Sequence, residues 1–162
     1  MADLLVVNAS PIIFLAHVGG LEWMVRLSAR PLILPAAVQA EVAAGPGGEE
    51  LLRSLRGLSE VQIRPDLPVP ETIAAWDLGR GESQVLAVCR ESSGRTAVLD
   101  DLAARRCAQA LQISVLGTLG IVVAARRRGW LPAARPVLNR LLAVGMYVTP
   151  ALVDAMLADI GE

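Results

Sequence analysis

The chain has 162 residues, enough to bury a real hydrophobic core, and its 54% hydrophobic and 19% charged residues exclude disorder as the main state. Its 15 basic and 16 acidic residues leave a net charge of −1, which excludes a protein that coats nucleic acid through bulk charge. All 15 basic residues are arginine, so lysine Schiff-base chemistry and a phosphate-loop lysine are excluded too.

Short β-rich apolar runs alternate with longer helical patterns, which predicts an α/β domain with a mostly parallel sheet. Leu4 to Val7 reads as the first strand. It is followed by Asn8-Ala9-Ser10-Pro11, where Ser10 is placed to cap a helix and Pro11 to start it. That helix runs into His17 and stops near Gly19-Gly20, and its apolar setting predicts a packed or hydrogen-bonded histidine. Pro31 to Leu34 is the second strand, and Pro35 to Ala44 a helix carrying Glu41, ended by Gly45-Pro46-Gly47-Gly48. Glu49 to Leu58 predicts another helix and Val61 to Arg64 a short extended stretch. Pro65 to Pro70 is a stiff loop, after which Gly79-Arg80-Gly81 opens a helix with Glu82 in its first turn. Thr96 to Leu99 and Ile113 to Leu116 are the remaining strands, each followed by an arginine-bearing helix, roughly Asp101 to Leu111 and Gly120 to Arg128. Thr149-Pro150 starts a last helix toward Ile160. The expectation is one domain over residues 1–162, with a helical C-terminal extension from about residue 130.

Cys89 and Cys107 lie in apolar helical patterns without metal-ligand spacing and read as buried structural thiols. Five aromatic residues are too few and scattered for a base-stacking platform, so Trp23, Trp76 and Trp130 read as core or interface anchors. No segment has the uninterrupted apolar length of a membrane span, and no basic residue precedes Arg26 as a secretory signal requires. A cytoplasmic protein without membrane contact is therefore expected.

In open parallel sheets ligands bind outside the carboxyl ends of the strands, so polar residues directly after strands are the first candidates. Here they are Asn8 with Ser10, Asp100 with Asp101, and Thr118. Glu41 and Glu82 lie on helices that such a fold can aim at the same edge, giving up to four carboxylates in one crevice. Hard divalent cations such as Mg²⁺ or Mn²⁺ relieve the repulsion of such a cluster, and can activate water against a phosphodiester. Each residue also has a structural reading: Ser10 as a cap, Glu82 against a helix dipole, Asp101 as an N-cap. Glu41 differs, because a mid-helix acid among Ala and Val needs solvent or a partner.

The segments VVNASPIIFLAHVGGLEWM, LPAAVQAEV, LGRGESQVLAVC, TAVLDDLAARRCAQALQISVLGTLGIVVAARRRG and RPVLNRLLAVGMYVTPALVDAML together resemble, in order and over nearly the whole chain, the PIN-domain family. The likeness is to a VapC-like branch of prokaryotic toxins with an (Asp/Asn)-x-Ser-Pro start, a Gly-x-Gly-Glu helix start and a later Asp-Asp. The resemblance implies a three-layer α/β fold and a Mg²⁺- or Mn²⁺-dependent endoribonuclease. It assigns Asn8, Glu41, Glu82 and Asp101, with Asp100 beside it, to the acidic metal-binding and catalytic positions. Ser10 and Thr118 match its supporting polar positions. Asn8 departs from the aspartate common there, offering an oxygen but no charge.

Arg105, Arg106, Arg126, Arg127 and Arg128 follow the last two strands and form a candidate patch for RNA phosphates. The apolar excess is compatible with a homodimer, and the resemblance implies an antitoxin protein as partner. Two other readings stay open: a PIN-like protein with weakened catalysis that binds RNA or a partner, suggested by Asn8, and a metal-dependent phosphatase with the same strand-end acids.

Overall fold

A computed structural model of the chain describes residues 2–162. The chain runs β1 (Leu4–Val7), α1 (Ala9–His17), α2 (Leu21–Leu27), β2 (Ala29–Pro35), α3 (Ala36–Ala44), α4 (Gly48–Leu58) and β3 (Val61–Arg64). It continues with α5 (Glu71–Ala74), α6 (Arg80–Arg90), β4 (Arg95–Val98), α7 (Leu102–Ala110), β5 (Ser114–Leu116), α8 (Thr118–Arg127), α9 (Arg135–Ala143) and α10 (Pro150–Asp159). The strands form one parallel sheet in the order β3-β2-β1-β4-β5, flanked by helices. The expected α/β architecture is therefore present, and every pairing is parallel.

The sheet reads as apolar runs because helices cover it, so both faces of its strands need hydrophobic side chains. Leu5, Val6, Val7, Leu32, Ile33, Leu34, Ala97, Val98 and Leu99 are all buried. They form a core with Ile12 and Leu15 of α1, Val38 and Val42 of α3, Leu52 and Leu55 of α4, and Val85, Leu86 and Val88 of α6. A second cluster joins α8, α9 and α10 through Val122, Ala125, Val137, Leu138, Leu141 and Leu157. Trp23 packs on both clusters, and Arg26 stacks 3.9 Å above the Trp130 ring. These two tryptophans thus act as packing anchors, while Trp76 is partly exposed.

Two local expectations are corrected. Ser10 is not a cap: β1 ends at Val7, the Asn8 N–H bonds to the Val98 carbonyl, and α1 starts at Ala9 with Asn8 as its N-cap residue. Ser10 lies inside the first turn, exposed, and Pro11 fits there because first-turn N–H groups have no helical partner. His17 is not packed either, since it ends α1 with an exposed side chain; its backbone carbonyl accepts a bond from Arg140. Helices α2 and α5 have no counterpart in the sequence expectations, while α9 and α10 lie in the expected helical C-terminal stretch. Cys89 and Cys107 are free and buried, and burial pushes the Cys89 thiol up to about 12, leaving it inert. Among the described residues no helix is long and apolar enough to cross a membrane.

The chain visits β1, β2 and β3 on one side of the sheet, then returns to β4 and β5 on the other side of β1. The order therefore reverses between β1 and β4, and the connections diverging there leave a crevice at the carboxyl ends of these two strands. Leu138, 1% exposed at the centre of the second cluster, tests how firmly the C-terminal helices are held. Leu138→Ala is expected to lower unfolding free energy by about 2–5 kcal/mol in urea titration. A loss well under 1 kcal/mol would mean that the cluster contributes little to folding.

Candidate functional site

Sequence-selected residues border the crevice between β1 and β4. The register Val7↔Val98 puts Asn8, directly after β1, beside Leu99-Asp100-Asp101, directly after β4. Asn8 is 3% exposed, and its Nδ2 donates to Glu82 Oε1 at 3.1 Å. That bond fixes the orientation of the amide, because the reversed one would turn its oxygen toward a carboxylate. It also leaves Asn8 Oδ1 buried without a hydrogen-bond partner among the described residues.

Glu41 completes this group from α3. A Cβ added at Gly81 would lie 2.8 Å from Glu41 Oε2 and 2.9 Å from Asn8 Oδ1, so these two oxygens approach α6 where it carries no side chain. Any larger residue at position 81 would occupy the space that they share. Although Glu41 as a residue is exposed, partial loss of water at its carboxyl, and then the negative charge of Glu82, raise it above the ordinary glutamate value of 4.5.

Asp100 does something different. Its two oxygens accept the Thr118 N–H at 2.8 Å and the Thr118 hydroxyl at 2.7 Å. Helix α8 starts after Gly117, which has no side chain to cap it, so Asp100 supplies the cap from the end of another strand. Thr118 is fully buried, and the contact fastens α8 to the crevice. Gly117 is again a close approach: a Cβ there would collide with the Arg105 guanidinium and sit 3.3 Å from Asp100 Oδ1. Arg105 also donates to the Leu99 carbonyl. Asp101 occupies the N-cap position of α7 with an exposed side chain that makes no cap bond.

The structure thus joins Asn8, Glu41 and Glu82 in one group, and Asp100, Thr118 and Arg105 in a second, both at the carboxyl end of the sheet. Ser10 and Arg106 are exposed, on α1 and α7. Arg126 and Arg127 form ion pairs with Glu162 and Asp159, and Arg128 lies 5.6 Å from the Trp130 ring. Bonds from the Ala134 N–H, then from Arg126 and the Arg135 N–H, hold the Glu162 carboxyl below the usual carboxylate range. Two clefts lie away from these groups. One, of ≈ 380 Å³, is lined by Asp3, Arg90, Arg95 and Ser114 among others; the other, of ≈ 460 Å³, is an apolar groove between Ile13, Val42 and Leu51.

Among the described residues no group of three His, Cys, Asp or Glu side chains could hold a metal ion. The third donor near Glu41 and Glu82 is instead an amide oxygen, buried and unpartnered. An all-oxygen set of this kind fits a hard cation such as Mg²⁺ or Mn²⁺.

The PIN domain family model matches residues 4–162. This chain is a PIN-domain protein. No curated protein matches it. PIN domains are generally nucleases, and in this one Glu41 and Glu82 approach the Asn8 amide, which follows β1 where the strand order reverses. Sequence reading found the acids and the Gly-x-Gly-Glu run but missed the service of Gly81 and Gly117 as close approaches. The signal was present, since each glycine lies next to a residue already selected, Glu82 or Thr118.

The raised carboxyl of Glu41 gives a pH prediction. Its ionisation opposes folding, so the penalty is full above the folded-state value and absent below the unfolded one, near 4.5. Glu41→Gln should therefore raise the Tm of the metal-free PIN domain at pH 7, and the gain should fade as pH drops toward 4.5 and be absent below it. A Tm lowered at pH 7 would show that the Glu41 carboxylate is stabilising where it stands.

Proposed function

We propose that this PIN domain is a Mg²⁺- or Mn²⁺-dependent endoribonuclease that hydrolyses RNA phosphodiester bonds, acting as the toxin of a toxin–antitoxin pair. The observation that carries the reading is the buried Asn8 Oδ1, without a protein partner and beside Glu41 Oε2, at the reversal of strand order. Asn8, Glu41 and Glu82 would hold the cation, with Asp101 as the further carboxylate at this edge and Asp100 holding α8 against it. When bound, the ion supplies activation of water and stabilisation of charge on the phosphodiester. The residues supply the frame: Asn8 orients Glu82, Gly81 keeps the space open, and Arg105 lies near Asp100 above Gly117. Arg105 and Arg106 are the best placed arginines for RNA phosphates, because Arg126 and Arg127 already have acidic partners. The antitoxin, a second copy of the chain and a cytoplasmic setting belong to the same proposal.

Asn8 also favours a second reading, a PIN domain with weakened catalysis that binds RNA or a partner, because an amide brings no negative charge to the ion. Both are tested by incubating purified, partner-free protein with RNA in EDTA, Mg²⁺ or Mn²⁺. The nuclease reading expects cleavage only with metal, lowered about 100-fold or more in Glu82→Gln and in Asp101→Asn, at or beyond the loss that even an outer partner of a metal causes. Cleavage that survives EDTA, or is undiminished in both folded variants, would contradict it. Cleavage by Asn8→Asp but not by the natural chain would establish the second reading.

A further inference from the structure

Glu41 and Glu82 come from different helices, and their approach depends on how α3 and α6 are held together. The connection between β3 and α6 passes both helices. Its Asp66 Oδ1 accepts the Ala37 N–H at 3.1 Å, and Asp66 also pairs with Arg80. Its Leu67 is gripped from both sides by the Gln84 amide: the Leu67 N–H donates to Gln84 Oε1 at 2.8 Å, and Gln84 Nε2 donates to the Leu67 carbonyl at 2.8 Å.

Each contact falls within one turn of a site acid. Ala37 precedes Glu41 by four residues, so the two lie on the same face of α3 in successive turns. Helix α3 starts after Pro35, which has no side-chain acceptor, and Asp66 is the cap it lacks. On α6, Arg80 and Gln84 are also four apart and share a face, whereas Glu82 between them faces roughly the opposite way, toward Asn8. Gln84 is 4% exposed, so its amide bonds are shielded from water. Pro65, Pro68 and Pro70 restrict the strap, so little chain entropy opposes its docking.

We propose that Asp66 and Gln84 are positioning residues, and that the 65–70 segment is a fixed strap setting the separation of Glu41 and Glu82. The Asp66–Arg80 pair is exposed and contributes little by itself. The cap on α3 and the buried grip on Leu67 carry the effect. The role in metal binding rests on the nuclease reading above; the role in geometry does not.

The test compares Asp66→Ala, Asp66→Asn and Gln84→Ala with the natural chain, using Leu138→Ala as a control destabilised far from the strap. Two quantities are measured: Mn²⁺ affinity by calorimetry, and the Asn8 side-chain amide resonances in ¹⁵N NMR of the metal-free protein. Asp66→Ala and Gln84→Ala should weaken Mn²⁺ binding about 10-fold or more, as loss of an outer partner does, and should shift the Asn8 amide signals. Asp66→Asn keeps an acceptor for the Ala37 N–H and should restore most of both. Leu138→Ala should lower Tm and change neither. Natural affinity and unmoved amide signals in folded Asp66→Ala and Gln84→Ala would overturn the proposal, as would equal effects in Leu138→Ala. If the natural chain binds no Mn²⁺, the nuclease reading fails, and the Asn8 signals alone decide for or against the strap.

Discussion

Like charges brought together around one buried amide are the constraint on which the rest of this structure depends. Glu41 and Glu82 reach the same edge from different helices, with only the Asn8 amide for direct relief. Partial loss of water at the Glu41 carboxyl, and then the charge of Glu82, raise it above its ordinary value. Asn8 answers half of the problem by donating to Glu82, and its unpartnered oxygen leaves the other half to a cation. An aspartate at position 8 would lose the bond to Glu82 and add a third negative charge. The natural asparagine therefore favours assembly without metal and reduces the charge available to hold it.

Holding such groups in place requires anchors stronger than local helix propensity. Helices α3 and α8 both frame the crevice, and both begin after a residue without a capping side chain, Pro35 and Gly117. Each takes its cap from a carboxylate elsewhere in the chain, Asp66 or Asp100. An intrinsic cap would stabilise a helix wherever it lay; a distant cap stabilises it only when docked. The starts of these helices are thereby tied to the tertiary structure. Glycine supplies the complementary device, with Gly81 and Gly117 letting polar groups approach where a methyl would collide.

Most of the fold was legible in the sequence because the central strands β1, β2 and β4 carry continuous buried apolar runs. Leu4–Val7 and Val61–Arg64 stand where the apolar pattern placed them, and the other strands differ only at their ends. The start of α1 was misread because Ser-Pro is a strong local signal. Pairing of Asn8 with Val98, a contact 90 residues away, set the boundary instead. His17 is exposed because it shares the outer side of the last turn of α1 with Ala16, while Leu15 in the same turn faces the core, so an apolar run around a histidine does not bury it. The candidate acids were legible as strand-end and helix residues. Their division into an Asn8–Glu41–Glu82 group and an Asp100–Thr118 clamp was not, because it rests on hydrogen-bond partners far apart in the chain. Asp66 went unnoticed for the same reason, since a proline-rich loop gives no sign of the helix it caps 29 residues earlier.

The central claim is that the buried oxygen of Asn8 and the carboxylates of Glu41 and Glu82 form one cation-holding group above Gly81. Anomalous diffraction from crystals soaked in Mn²⁺ tests it most directly. The account predicts a manganese peak beside Gly81, with Asn8 Oδ1 and a Glu41 oxygen at direct ligand distance, about 2.0–2.3 Å. A peak bound elsewhere, or none at millimolar Mn²⁺, would contradict it.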